Sequence, residues 1–377
     1  MPTVSDTNPQ TRSTPHISSP MTTPKVSVCL PNLNNRPFLE ERLASIFDQS
    51  LTDWELVIFD NYSDDGAWQL FEKFARDDGR IRIAQAPRQG MYANWNNCVQ
   101  AARGEFVYIA TSDDNLAPDC LEKLTAAMEA NPECDLAHCN LRMFDTEGAE
   151  VSAEWWQRSS LFARSSGDLL NQPHVRLAPF DGLLHLSGDT LYTSITQLLI
   201  RRSLFLRIGY FEPRWGSLGD FNWNMRAGLV ANTVHVPDTW GGWRQHGAQA
   251  TAGARFGSAE HVAKMNEMID HAIATTADLL NPNVKKQLAG KWNRRMRGMR
   301  QLDLAMRTLP ARWQRASYLI SRLATGCWAA WWHVRQRLTG DGNFPEHQSE
   351  LMKSWLEKEG IGRVLVPIKP AQAGHPV

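Results

Sequence analysis

From Lys25 onward, short apolar runs alternate with stretches whose apolar residues recur at helical spacing. Val26–Leu30 is the first run, closed by Pro31 and Asn32, the pattern of a buried strand emptying into a loop. Phe38, Leu39, Leu43, Ile46 and Phe47 then share one face of a helix. Trp54–Phe59 predicts a second buried strand, and Asp60 to Gly66 (DNYSDDG) the polar loop behind it. A helix through Phe74, a strand at Ile81–Ala84 and a helix from about Ala93 to Ala102 follow. Phe106–Ala110 is the next strand and leads into Thr111 to Asn115 (TSDDN). Pro118 opens a further helix, and Asp135–His138 begins another strand.

Alternation at this pitch predicts an α/β fold, Rossmann-like, with a mostly parallel sheet and helices on both faces. In such sheets ligands bind beyond the carboxyl ends of the strands. The acid-rich loops 60–66 and 111–115 both follow strands directly, so they fall on one rim. Neighbouring acids repel one another, and a fold that juxtaposes them gains from a cation. Asp113 and Asp114 supply hard oxygen ligands of the kind Mg2+ and Mn2+ take, and such an ion would neutralise a diphosphate leaving group. Asp60 could accept hydrogen bonds from a base or ribose, although turn chemistry and helix capping also favour Asp here and at Asp64 and Asp65. Downstream, Asp220 follows a glycine-containing loop at the expected first turn of a helix, where it could cap the helix or take a proton from a hydroxyl. Arg244 and His246 combine a fixed cation with an imidazole, suited to a phosphate or a metal.

Composition narrows the setting. Lys+Arg and Asp+Glu balance at 40 each, which gives nucleic acid no global charge to bind. The six cysteines form no CxxC pair and read as buried thiols of a reducing compartment. Cys134, His138 and Cys139 lie close together, but two further zinc ligands are missing, so packing explains them better. Residues 1–24 are rich in Ser, Thr and Pro without the apolar core of a secretory signal, and are expected to be a disordered leader of a cytoplasmic protein. After about residue 257 the pattern turns helical. Residues 285–337 hold thirteen Lys and Arg against the single acid Asp303, and Trp313, Trp328, Trp331 and Trp332 surround an apolar stretch at 316–334. Arg322 and the hydroxyls in that stretch argue against a membrane span and for an amphipathic helix on an anionic membrane surface, the other reading being a helical hairpin packed on the domain.

The motifs together resemble family-2 inverting glycosyltransferases of the GT-A fold, over roughly residues 25–250. Phe59 to Gly66 is similar to the family's VDDGSxDG loop. Gly90 to Asn97 (GMYANWNN) resembles its helix start, Arg103 to Ile109 its GEYI strand, and Thr111 to Asp114 its DxDD metal loop. Ile200 to Phe205 with Ile208 to Phe211 resembles hRRShh…hGxF, and Gly219 to Arg226 resembles EDxxhxxR. Thr111 stands where many members have Asp, and Gly219 where they have Glu.

The resemblance implies an enzyme that moves a sugar from a nucleotide-sugar, UDP-linked in most of the family, to an acceptor hydroxyl with inversion. Its donor would be bound by Pro31, Asn32, Asn34, Asp60, Asn61, Asn94, Ser112, Asp113 and Arg244. Mn2+ or Mg2+ would be held by Asp113, Asp114 and His246, and Asp220 would be the catalytic base. The acceptor would be a bacterial-type polysaccharide, glycan or lipid-linked sugar, read by loops within 151–195 that carry Trp155, Trp156, His174, Arg176, Asp181 and His185. The expected domains are the leader, a GT-A domain at 25–256 with a nucleotide-sugar half (25–140) and an acceptor half (141–256), and a basic helical region at 257–377. The enzyme would be cytoplasmic and peripheral on the inner membrane. Thr111 and Gly219 keep open a catalytically silent nucleotide-sugar-binding protein. A nucleotidyltransferase would need a Gly-rich basic loop after the first strand, which Pro31 to Arg36 does not supply.

Overall fold

The computed structural model describes residues 23–152, 170–187, 190, 192–247, 258–324, 330, 334 and 365–367. The first half alternates as expected: β1 (Val26–Asn32), α1 (Arg36–Phe47), β2 (Trp54–Asp60), α2 (Ala67–Asp77), β3 (Ile81–Gln85), α3 (Met91–Ala101), β4 (Phe106–Ile109) and α4 (Cys120–Ala130). The second half holds β5 (Cys134–Phe144), β6 (Glu150–Ser152), β7 (His174–Arg176), α5 (Phe180–Ser187), β8 (Leu198–Arg201), α6 (Arg202–Ile208), α7 (Gly219–Val230) and β9 (Asn232–Arg244). Helices α8 (Ala259–Thr276), α9 (Pro282–Ala289), α10 (Lys291–Thr308) and α11 (Arg312–Ala324) follow, and β10 (Leu365–Pro367) ends the described chain.

The ten strands among the described residues form one sheet, in the order β10-β7-β9-β5-β8-β4-β1-β2-β3 with β6 on β5. The β4-β1-β2-β3 part is parallel, as is the β5–β9 pair. β8 enters antiparallel between β4 and β5 and so joins the two halves. Period-two alternation sends Val26, Val28 and Leu30 to the face covered by α1, α2 and α4. Cys29, Val107 and Ile109 point to the other, covered by α3, α7, α8 and α9. Because Met268, Ile269, Val284 and Leu288 belong to that second core, the change of composition near residue 257 is not a break in packing.

Helix α7, which begins with Gly219 and Asp220, is fixed by close contact and by hydrogen bonds. A Cβ on Gly228 would lie 2.4 Å from the Gly182 nitrogen, and one on Gly182 2.3 Å from the Leu229 nitrogen, so α5 and α7 cross backbone to backbone. Arg226 donates to the carbonyls of Ile208 (2.6 Å) and Tyr210 (2.7 Å), and Trp223 Nε1 to that of Gly209 (3.0 Å). Asn96 of α3 holds Phe211 through both its N–H (3.0 Å) and its carbonyl (2.8 Å).

Beneath this crossing lies a polar interior. Arg176 Nε meets Asp181 Oδ1 at 2.7 Å, Tyr192 donates to Asp181 Oδ2, and His174 Nε2 is 3.0 Å from the Arg176 guanidinium. His138 and His235 face each other through Nδ1 at 3.0 Å, and Gln197 Nε2 lies 3.1 Å from His138 Nε2. His174, Arg176, Asp181 and His185 are all buried and engaged with protein groups, a correction to their expected place on acceptor-binding loops. Trp155 and Trp156 lie outside the described residues.

Gly228→Ala should drive the two helix backbones apart. The expected cost is about 1–3 kcal/mol of stability, the usual scale for overpacking. A urea titration followed by circular dichroism checks it through a lowered midpoint.

Candidate functional site

Loops beyond the carboxyl ends of β1, β2, β4 and β9 meet over the first turn of α3 and enclose a cleft of about 250 Å³. Pro31, Asn32 and Asn61 line one side, Gly90, Asn94 and Trp95 another, and Thr111, Ser112, Asp113 and His246 a third. Most of the candidate donor residues therefore converge, at the rim where strand topology puts them.

On the β1–β2 side, Asp60 is fully buried and does not line the cleft. Its Oδ1 accepts from Asn32 Nδ2 (2.8 Å) and Ser63 Oγ (2.5 Å), and its Oδ2 from the Ser63 N–H (2.8 Å). Asn34 is also outside the lining; it sits at φ +53° with its Oδ1 accepting from the Asp64 N–H at 3.0 Å. Turn chemistry thus accounts for Asp60 and Asn34, and the side chains that line the cleft on this side are Asn32 and Asn61. Asn32 Oδ1 and Asn94 Oδ1 are buried acceptors with no hydrogen-bond partner among the described residues. Leaving such acceptors unpaired costs about 1–3 kcal/mol each, which a ligand N–H or hydroxyl would recover.

The β4 loop is held from behind. Asp114 is buried and faces away from the cleft, its Oδ1 accepting from the Arg244 N–H at 2.8 Å and its Oδ2 from Thr111 Oγ1. Burial, and then the Asp113 charge, push Asp114 up to about 8. An acid at position 111 would set a second carboxylate against this one, whereas a threonine donates to it. Arg244 does not line the cleft either. Its guanidinium donates to the carbonyls of Asp113 (2.9 Å) and Asp145 (3.0 Å) and pairs with Glu41 at 2.5 Å. These contacts turn both residues from ligand-binding candidates into supports of the loop. The groups they present are Asp113 and His246, paired through Oδ2 and Nε2 at 3.0 Å in the cleft wall. Two groups of metal-ligating chemistry stand together there, and no cluster of three or more occurs among the described residues.

Asp220 lies in the first turn of α7, next to α3 rather than in the cleft lining. Its Oδ1 accepts from Tyr92 Oη (2.9 Å) and from the Phe221 N–H (2.7 Å). Burial raises its pKa above the ordinary carboxylate range, while these two hydrogen bonds pull it back.

Several lining residues had not been expected from the sequence. Asn35 donates to Ser112 Oγ at 2.7 Å and ties the β1 loop to the β4 loop. Arg88, between β3 and α3, lines the cleft and donates to the carbonyls of Asn61 (2.9 Å) and Tyr62 (2.6 Å). Its place just beyond a strand end was the available signal. Trp95 reads as core from its helical spacing, and it is both core and cleft wall.

Residues 27–182 match the family described as Glycosyl transferase family 2. A protein of Mycobacterium tuberculosis, Uncharacterized protein MT1568, is 26% identical over 71% of this chain and 81% of its own length. GalNAc(5)-diNAcBac-PP-undecaprenol beta-1,3-glucosyltransferase of Campylobacter jejuni is 30% identical over 39% of this chain; the chain spans only 51% of that relative. It spans about a third of the Bacillus subtilis glycosyltransferase EpsJ, at 30% identity. Among solved structures, S. aureus TarS 1–349 in complex with UDP-GlcNAc superposes with a TM-score of 0.56 at 17% identity, over 78% of this chain and 79% of that one. With the sheet order, the rim and the motifs in agreement, residues 27–182 resemble the family-2 glycosyltransferases, and the chain has a GT-A-like fold.

Proposed function

We propose that this glycosyltransferase moves a sugar from a UDP-linked donor to an acceptor hydroxyl with inversion, using a divalent ion at Asp113 and His246 and Asp220 as base. The observation that carries the reading is the Asp113–His246 pair, in one cleft with two asparagines whose buried oxygens lack partners. A carboxylate and an imidazole fit Mn2+ or Mg2+, which fill their shells with waters and substrate phosphates when few protein ligands are present. Bound there, the ion would neutralise the diphosphate as it leaves. Asn32 and Asn94 would accept from the nucleoside, with Asp60 and Ser63 fixing Asn32 from behind. Asp220 would take the acceptor proton as the acceptor oxygen attacks the anomeric carbon. The bond to the diphosphate breaks on the opposite face and UDP departs.

The UDP-GlcNAc bound by TarS supports the uridine donor, and the name of the Campylobacter relative supports a lipid-linked glycan acceptor. No helix among the described residues is long and apolar enough to cross a membrane. Helix α11 buries no residue and exposes Trp313 and Ile320 beside Arg312. This supports peripheral attachment to an anionic bilayer, where such an acceptor would reside.

Three outcomes test this reading. Asp113→Ala should stay folded and lose the gain in UDP affinity that Mn2+ gives the wild type, measured by calorimetry; an unchanged gain would remove Asp113 from the metal site. Asp220→Asn should lower turnover by roughly 10²–10⁴-fold, the scale of general-base catalysis, with UDP affinity unchanged. Because the base must be ionised, the wild-type rate should rise with pH through a limb above the ordinary carboxylate range, as the raised pKa requires, and the limb should vanish in Asp220→Asn. For the surface, sedimentation with phosphatidylglycerol vesicles should fall in Trp313→Ala and in high salt; binding indifferent to both would sink membrane attachment through α11.

A further inference from the structure

Gly219, the residue before Asp220, has no room for a side chain. A Cβ there would lie 2.5 Å from Cδ2 and 2.6 Å from Cε2 of the Tyr92 ring. Tyr92 comes from α3, and its ring packs edge-on against Trp95 at 4.9 Å and in parallel with Phe211 at 5.9 Å. Phe211 is itself pinned by Asn96 one turn along α3. The ring therefore has no freedom to swing, and the missing side chain at 219 is the space it fills. Its hydroxyl ends 2.9 Å from Asp220 Oδ1 and 3.3 Å from the Ser217 carbonyl.

We infer that Tyr92 is a positioning residue for the base, with Gly219 as the clearance that lets its ring reach Asp220. This rests on the assignment of Asp220 as base. Tyr92 and the Phe221 N–H converge on one carboxylate oxygen, Oδ1, and so fix the plane of the group. They leave Oδ2 as the oxygen to receive a proton. A hydroxyl donor also favours the ionised carboxylate against the desolvation around it, which keeps the base competent. A phenol does this without adding a charge: burial and the Asp220 carboxylate push its own ionisation well up, so it remains a donor. The groups acting on Asp220 are Tyr92 from α3 and the backbone N–H groups of its own helix. A glycine before the base is therefore one half of a pair whose other half is an aromatic residue 127 positions upstream.

Tyr92→Phe keeps the ring and removes only the hydroxyl, so the fold should survive. Two measurements on the full chain decide the matter. The first is the carboxyl 13C titration of labelled aspartates, with the Asp220 signal assigned by its loss in Asp220→Asn. Tyr92→Phe should move that titration to higher pH, and an unmoved titration overturns the coupling. The second is UDP release from UDP-N-acetylglucosamine, UDP-glucose and UDP-galactose with Mn2+, water or an added sugar serving as acceptor. Tyr92→Phe should slow release about tenfold with UDP affinity unchanged, the scale of a misaligned reacting group. The same substitution in an Asp220→Asn background should cost nothing further, since the two act as one unit. Full release in Tyr92→Phe beside slow release in Asp220→Asn rejects positioning and leaves the base assignment standing. Full release in Asp220→Asn rejects both.

Discussion

The rim of this sheet depends on one buried carboxylate. Asp114 lies inside the protein, where an unpaired charge or an unpaired acceptor is costly, and each of its oxygens is met by a donor. One donor is Thr111, three residues back in the same loop. The other is the main-chain N–H of Arg244, from the last residue of β9 and 130 positions away. Satisfying Asp114 therefore fastens the end of β9 to the loop after β4, and everything just beyond β9 arrives at the cleft as a result. His246 follows Arg244 by two residues, which is how it comes to sit against Asp113. The Arg244 side chain closes the arrangement from outside by holding the Asp113 carbonyl. Asp113 and Asp114 are chemically alike and adjacent, yet one faces solvent chemistry and the other anchors the loop.

That division explains how much could be read from the chain. Strand–helix alternation up to α4 was legible because β1, β2 and β4 are buried along nearly their whole length and read as apolar runs, and α2 shows a clear apolar stripe. The rim followed from topology, and Asp113, Asn32, Asn61, Asn94 and His246 were placed with it. Side-chain direction was not legible. Nothing in the spelling of TSDDN tells which acid turns inward, because the deciding partner, the Arg244 N–H, is distant in sequence. Asp60 and Asn34 carry the same lesson: residues that favour turns were made to satisfy the turn first. Tyr92 gave no signal, since an aromatic three residues before Trp95 reads as core, and its hydroxyl finds a partner only in the folded chain.

Family motifs at 90–97, 208–211 and 219–226 bind one another, and only the first of them also lines the cleft. Asn96 holds Phe211, Arg226 holds the Ile208 and Tyr210 carbonyls, and Tyr92 holds Asp220. They form a brace between the parallel half of the sheet and the helices behind it. Antiparallel β8 makes this possible, because it joins β4 to β5 and feeds straight into α6 and that turn. Motifs that look like site residues in a linear sequence are here, in good part, the means by which α7 is set against α3 and the parallel half of the sheet.

The polar interior under the α5–α7 crossing has a consequence for the conditions the protein tolerates. Burial holds His185 neutral down to about 4 and His235 neutral to well below its usual range. An unfolded chain takes up those protons near 6.5, so acidification from about 6.5 toward 4 steadily favours the unfolded state. Asp181, kept ionised by Arg176 against the pull of burial, adds a further loss once the pH falls below the ordinary carboxylate range. Mild acid thus loosens the ground on which α7 stands. Acid sensitivity of this fold therefore has a source in buried histidines that lie outside the cleft lining.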